Sequence, residues 1–124
     1  MKLSLLIIGL LSASVAQANE SKCLARIGYA ESQGESIKGV VAVMNATVLH
    51  AKQLKISVCK VRAKQQTPSN DVAVAYQLIA NSVLSGAIKP TTKANSWRSH
   101  GHKAKGGKQV AKIGGHEFFY VSRL

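Results

Sequence analysis

Carboxylates are what this sequence has least of. Five acidic residues stand against seventeen lysines and arginines in 124 residues, a formal net charge of +12. Glu20, Glu31, Glu35, Asp71 and Glu117 are the whole supply, so a site built on several carboxylates has little to draw on. Long apolar runs are also missing. Residues 3–11 are the most apolar stretch and fall short of the roughly 20 residues a membrane span requires, so no transmembrane segment is expected. Two cysteines, Cys23 and Cys59, allow one bridge and exclude a disulfide-dense scaffold. There is no internal repeat and no low-complexity tract.

What is present begins with a leader. Met1-Lys2 is positive, residues 3–11 are apolar, and small residues follow with Ala16 and Ala18 in an A-x-A pattern. That is a secretory signal peptide over 1–18, cleaved after Ala18. Removing those 18 residues from 124 leaves 106 in a single domain over 19–124, with net charge +11 once Lys2 is gone. The expected location is outside the cytoplasm, in the periplasm or extracellular space. Oxidising surroundings favour a Cys23–Cys59 disulfide over two buried free thiols. It would close a loop of about 36 residues, worth roughly 3–4 kcal/mol. The charge predicts attraction to polyanions, with anionic cell-wall polymers, membrane headgroups and extracellular DNA as candidates, beside a surface merely tuned for solubility.

Leu24, Ile27, Gly28 and Glu31 fall at helical spacing from Cys23, and Gly34 stops that helix. Ser36 caps a second helix to about Leu49, with Ile37, Val40, Val41, Met44 and Val48 as its stripe. "KISVCKV" fits a short strand or an extended loop. Ser69 or Asn70 caps a third helix, with Asp71 in its first turn, Val72, Tyr76, Ile79 and Val83 as its stripe, and Gly86 at its end. A long polar, basic loop follows. Gly114-Gly115 between two strand-like runs then signals a hairpin. Three helices, a basic loop and a C-terminal hairpin make a small α+β domain.

Glu31 continues the face of Leu24 and Ile27, so it is directed toward the core side. A carboxylate against apolar surface resists ionising, which suits a general acid; the same position suits a helix-end charge paired with lysine. Glu35, after Gly34, favours the next helix N-terminus, a structural role or a modulating one toward Glu31. Trp97 is the sole tryptophan. Its ring is a candidate stacking face for a ligand or a loop anchor. His50 reads as a helix-end residue. His100, His102 and His116 form a weak zinc pattern in basic surroundings, so no metal and no cofactor are expected.

"CLARIGYAESQGESIKG" resembles the opening motif of cell-wall hydrolases of the spore-cortex-lytic type, roughly L-A-R-x-x-Y-x-E-A-R-G-E-x-x-x-G. Leu24, Ala25, Arg26, Tyr29, Glu31, Gly34, Glu35 and Gly39 match. Val43 and Asn45 resemble the family's V-x-L-N, "SVCKV" its V-C-x-V, and Ile113, Gly114, His116, Phe118 and Phe119 its closing I-G-x-H-x-F-[FY]. The blocks keep family order across nearly all of residues 19–124. Ala46-Thr47 replaces the usual Arg-Val, "KQQTPS" lacks an aromatic, and Ser96 and Arg98 stand where histidines usually flank the aromatic.

The resemblance implies a lysozyme-like fold and cleavage of peptidoglycan glycan strands between N-acetylmuramic acid and N-acetylglucosamine, with Glu31 catalytic. A lytic transglycosylase needs one essential carboxylate, whereas ordinary hydrolysis usually needs two, and scarcity of acid favours the former. Glu35 is then a second carboxylate or modulator, and Trp97, Tyr120 and His116 are candidate substrate contacts. The expected partner is peptidoglycan, bound by a monomer. Export and the lack of a recognised motif argue against nucleic acid. The alternatives are an amidase acting on the peptide stem and a non-catalytic basic protein that binds wall or nucleic acid.

Overall fold

The computed structural model describes residues 2–99 and 106–124, with side chains from residue 17 onward. Its elements run α1 (Lys2–Ser32), α2 (Ile37–Leu54), a 3-10 turn (Val58–Lys60), α3 (Asn70–Ser85), β1 (Ser96–Ser99), β2 (Lys108–Ile113) and β3 (His116–Tyr120). The strands form one antiparallel sheet in the order β1-β3-β2. This is the α+β order of helices followed by strands that the sequence pattern implies. No described helix is long and apolar enough to cross a membrane.

α2 is the shared wall. Gly39 through Thr47 are all buried along it, because it is packed on two sides. Val40, Val41 and Met44 meet Leu24 and Ile27 of α1, Ala80 and Val83 of α3, and Val58 and Val61. Ala42, Val43 and Ala46 meet Ala94 and Phe118 beside the sheet. Each large side chain fully buried here, such as Leu24, Ile27 or Phe118, contributes about 1.5–3 kcal/mol. α1 and α2 approach closely at Gly28, where a Cβ would lie 2.5 Å from Met44 Cε. Cys23 and Cys59 are bridged, with Cα atoms 5.1 Å apart, tying α1 to the 3-10 turn.

The helix signals hold at α2 and α3. Ser36 Oγ accepts from Gly39 N–H at 3.3 Å, and α3 ends at Gly86 in the left-handed region. Other expectations are corrected. α1 begins at Lys2 rather than Cys23, since the Leu and Ala residues before Asn19 are strong helix formers and no proline stops them. α2 runs on to Leu54, so His50 lies inside it. Ile37 is 70% exposed and Val72 38%, because the first turn of each helix projects past the core. "KISVCKV" is neither strand nor extended loop but carries the 3-10 turn, whose Ser57 Oγ accepts from Cys59 N–H. The basic loop contains β1, and the hairpin is therefore part of a three-stranded sheet.

Candidate active cleft

Glu31 sits in the last turn of α1, half-buried, at the floor of a cavity of about 380 Å³. Its walls come from α2 (His50), residues 61–63, β1 (Ser96, Trp97, Arg98), β3 (Phe119) and the C-terminal segment (Val121, Arg123). Both carboxylate oxygens are engaged. Oε1 accepts from the backbone N–H of Lys64 at 2.9 Å. Oε2 accepts from the indole Nε1–H of Trp97 at 3.4 Å. Leu24 and Ile27, earlier on the same face, are fully buried. Glu31 thus lies where the core stripe of α1 opens into the cleft, with polar donors on it rather than apolar surface alone.

Trp97 is on a strand, not in a loop. It pairs directly with Phe118 in the β1–β3 ladder, and it packs against both core clusters. Adjacent strand residues face opposite ways, so Arg98 leaves β1 on the face opposite Trp97, although it still borders the cavity. There its Nη2 donates to Glu117 Oε2 at 2.7 Å and its Nε at 3.2 Å, and its guanidinium lies 5.0 Å from the Phe119 ring centroid. Glu117, 8% exposed, is committed to this ion pair and does not line the cavity.

Glu35 goes elsewhere. Its Oε1 accepts from Gly115 N–H at 2.8 Å in the β2–β3 turn and lies 3.6 Å from Nδ1 of His116. His116 is 5% exposed, and neither ring nitrogen makes a hydrogen bond among the described residues. Gly114 has φ +58°, and a Cβ there would fall 1.9 Å from Glu35 Oε2. The two glycines therefore serve both the tight turn and the close approach of this carboxylate. Glu35 and His116 form a corner of their own, outside the residues lining the Glu31 cavity. Tyr120, 45% exposed, also lies outside that lining. Of the five residues proposed from sequence for catalysis and substrate contact, the fold brings Glu31 and Trp97 together at the cavity and Glu35 and His116 together in the separate corner, with Tyr120 in neither.

Sequence reasoning passed over Arg62, Arg123 and the Lys64 amide, and it gave His50 no part in a site. None has a local signal: each reaches the cleft through long-range folding. His50 Nδ1 lies 2.9 Å from Asn95 O. Asn95, 1% exposed, donates from Nδ2 to Val121 O at 2.8 Å and accepts at Oδ1 from Val121 N–H at 2.8 Å. Among the described residues no group of three His, Cys, Asp or Glu side chains is placed to hold a metal; His100 and His102 lie outside them. A second cavity, about 460 Å³, lies between α2 and α3. Its one carboxylate, Glu20, accepts from Val58 N–H at 3.2 Å.

On the aromatic side of α1, Tyr29 meets the Tyr76 ring edge-on at 5.4 Å. Burial, with the neighbouring Tyr29 adding, pushes the Tyr76 phenol above its ordinary range. This pair is packing between α1 and α3, away from the cleft. Comparison of the chain with protein-family models, curated proteins and solved structures finds no match.

Proposed function

We propose that the protein cleaves peptidoglycan glycan strands as a lytic transglycosylase, with Glu31 acting first as acid and then as base. The observation that carries this reading is the Glu31 carboxylate on the floor of an open cleft, hydrogen-bonded by the indole of Trp97. An acid beside an aromatic ring suits a sugar-cleaving site, since one group can move the proton and the other can offer a flat apolar face. The motif resemblance of residues 23–39 to cell-wall hydrolases of the spore-cortex-lytic type supports the same assignment.

Protonated Glu31 gives its proton to the glycosidic oxygen as the bond to the muramic C1 breaks. The N-acetylglucosamine side leaves as an alcohol. The carboxylate so formed takes the proton of the muramic 6-hydroxyl while that oxygen bonds to C1. An anhydro ring closes, Glu31 is again protonated, and no water is consumed. The route uses one carboxylate, whereas retaining and inverting hydrolysis use two flanking the bond. Glu31 is the only carboxylate side chain lining the cleft among the described residues, which favours the single-acid route. The basic surface would hold the enzyme near an anionic wall, an attraction that salt weakens.

Digestion of purified peptidoglycan, with products identified by mass spectrometry, tests the reading. Anhydromuramic ends from the wild type, absent with Glu31→Gln, are expected. Reducing ends would make it a lysozyme, and released stem peptides an amidase. A folded wild type that yields no product while still binding wall or DNA would end the enzymatic reading.

A further inference from the structure

The chain has four arginines, at 26, 62, 98 and 123, against thirteen lysines. Three of the four, Arg62, Arg98 and Arg123, line the Glu31 cavity, and no described lysine does. A basic coat laid down for solubility or loose attraction would show no such sorting. Arginine is the side chain that grips a carboxylate through two parallel N–H bonds, where lysine offers a point charge. Arg98 already holds Glu117. Arg62 and Arg123 are exposed and make no ion pair among the described residues.

Their supports are fixed. Arg62 follows buried Val61 in a segment tied down by Lys64 N–H on Glu31 and by Gln66 N–H on Arg26 O at 3.2 Å. Arg123 follows a segment clamped on both sides. Asn95 holds Val121 through two hydrogen bonds, and Gln53 Nε2 donates to Val121 O at 3.1 Å and Ser122 O at 3.0 Å. Two guanidinium groups without an ion pair among the described residues are thus carried by separate, stitched walls of one cleft, beside the one carboxylate side chain that lines it among those residues.

We infer that Arg62 and Arg123 form a carboxylate-reading pair at the rim of the Glu31 cleft, making the site selective for glycans that bear a free carboxylate near the cleaved bond. This rests on the glycan reading of the cleft. The carboxylate has two sources: the lactyl group of muramic acid on strands without peptides, or an acidic residue of the stem peptide.

The test uses the Glu31→Gln protein in calorimetric titrations against four probes. These are peptide-free glycan strands, peptide-bearing strands, and each of these after carbodiimide amidation. Binding about tenfold tighter to a charged strand than to its amidated form is expected. Preference on peptide-free strands assigns the lactyl group; preference confined to peptide-bearing strands assigns the stem. Adding Arg62→Gln and Arg123→Gln erases the preference. Lys38→Gln with Lys108→Gln, an equal charge loss outside the cleft lining, keeps it. Equal binding of charged and amidated strands, or no binding to any probe, overturns the inference. In parallel digests, wild-type cleavage indifferent to amidation would overturn it and spare the glycosidic reading. A carboxylate preference in binding with no cleavage by the wild type would do the reverse.

Discussion

Glu31 and Glu35 leave the chain four residues apart, and α1 ends between them. Glu31 still belongs to the helix face that begins with Leu24 and Ile27, and it inherits that direction. Gly34, at φ +84°, then turns the chain, and Glu35 is handed to the far end of the sheet. Both carboxylates accept a backbone N–H from a distant segment, Lys64 for one and Gly115 for the other. The difference is what lies beyond. Glu31 faces a cavity of about 380 Å³, whereas Glu35 faces the backbone of two glycines with no space for a ligand between. Two carboxylates that each hold a distant backbone N–H do not thereby make equal sites; the open volume beside Glu31 is what sets it apart from Glu35.

The sharpest way to break that contrast is to neutralise each acid in turn. Glu31→Gln should lower glycan cleavage by about a thousandfold and leave the thermal midpoint nearly unchanged. Glu35→Gln should keep cleavage within about threefold and lower stability by about 1–2 kcal/mol, as the bond from Gly115 is weakened. Denaturant melts and product assays on the same samples check both. Equal activity losses would mean that the two corners work as one site.

Gly114→Ala probes the fastening side alone. The left-handed backbone and the displaced Glu35 carboxylate together predict a loss of about 2–3 kcal/mol in a denaturant melt. If Glu35→Gln is already present, the loss should shrink, because the two changes share one contact. Trp97→Phe probes the working side: it keeps a ring but removes the N–H on Glu31. About a fivefold fall in kcat/KM is expected, with a KM change if stacking also suffers. The smallest effect lies outside both corners. The Tyr76 phenol titrates above its unfolded value, so the folded state holds its proton longer than the unfolded chain does. Stability should therefore be unaffected below about pH 10 and fall as pH rises from there through the folded-state pKa. Tyr76→Phe should flatten that decline in melts taken across alkaline pH.

Where side-chain pattern is local, the sequence was legible. Ser36 and Ser69 mark helix starts, Gly86 an end, and Gly114-Gly115 a two-residue hairpin turn, because each is decided by backbone geometry within a few residues. The direction of Glu31 followed from helical spacing. β1 was hidden, since "SWRS" has no apolar alternation of its own. It is a strand because Trp97 can pair with Phe118 and Arg98 with Glu117, some twenty residues away. The place of His116 was hidden for a similar reason: its neighbour Glu35 comes from a distant part of the chain. Arg62 and Arg123 reach the cleft only through the hydrogen bonds of Lys64 and Asn95.

The protein has one tryptophan, and its indole nitrogen donates to Glu31. Every photon of indole emission therefore originates at the cleft, against only a faint background from three tyrosines. An occupant that covers the ring or displaces its hydrogen bond must change the colour or brightness of that emission. The unlabelled chain is its own optical gauge of whether the cleft is full.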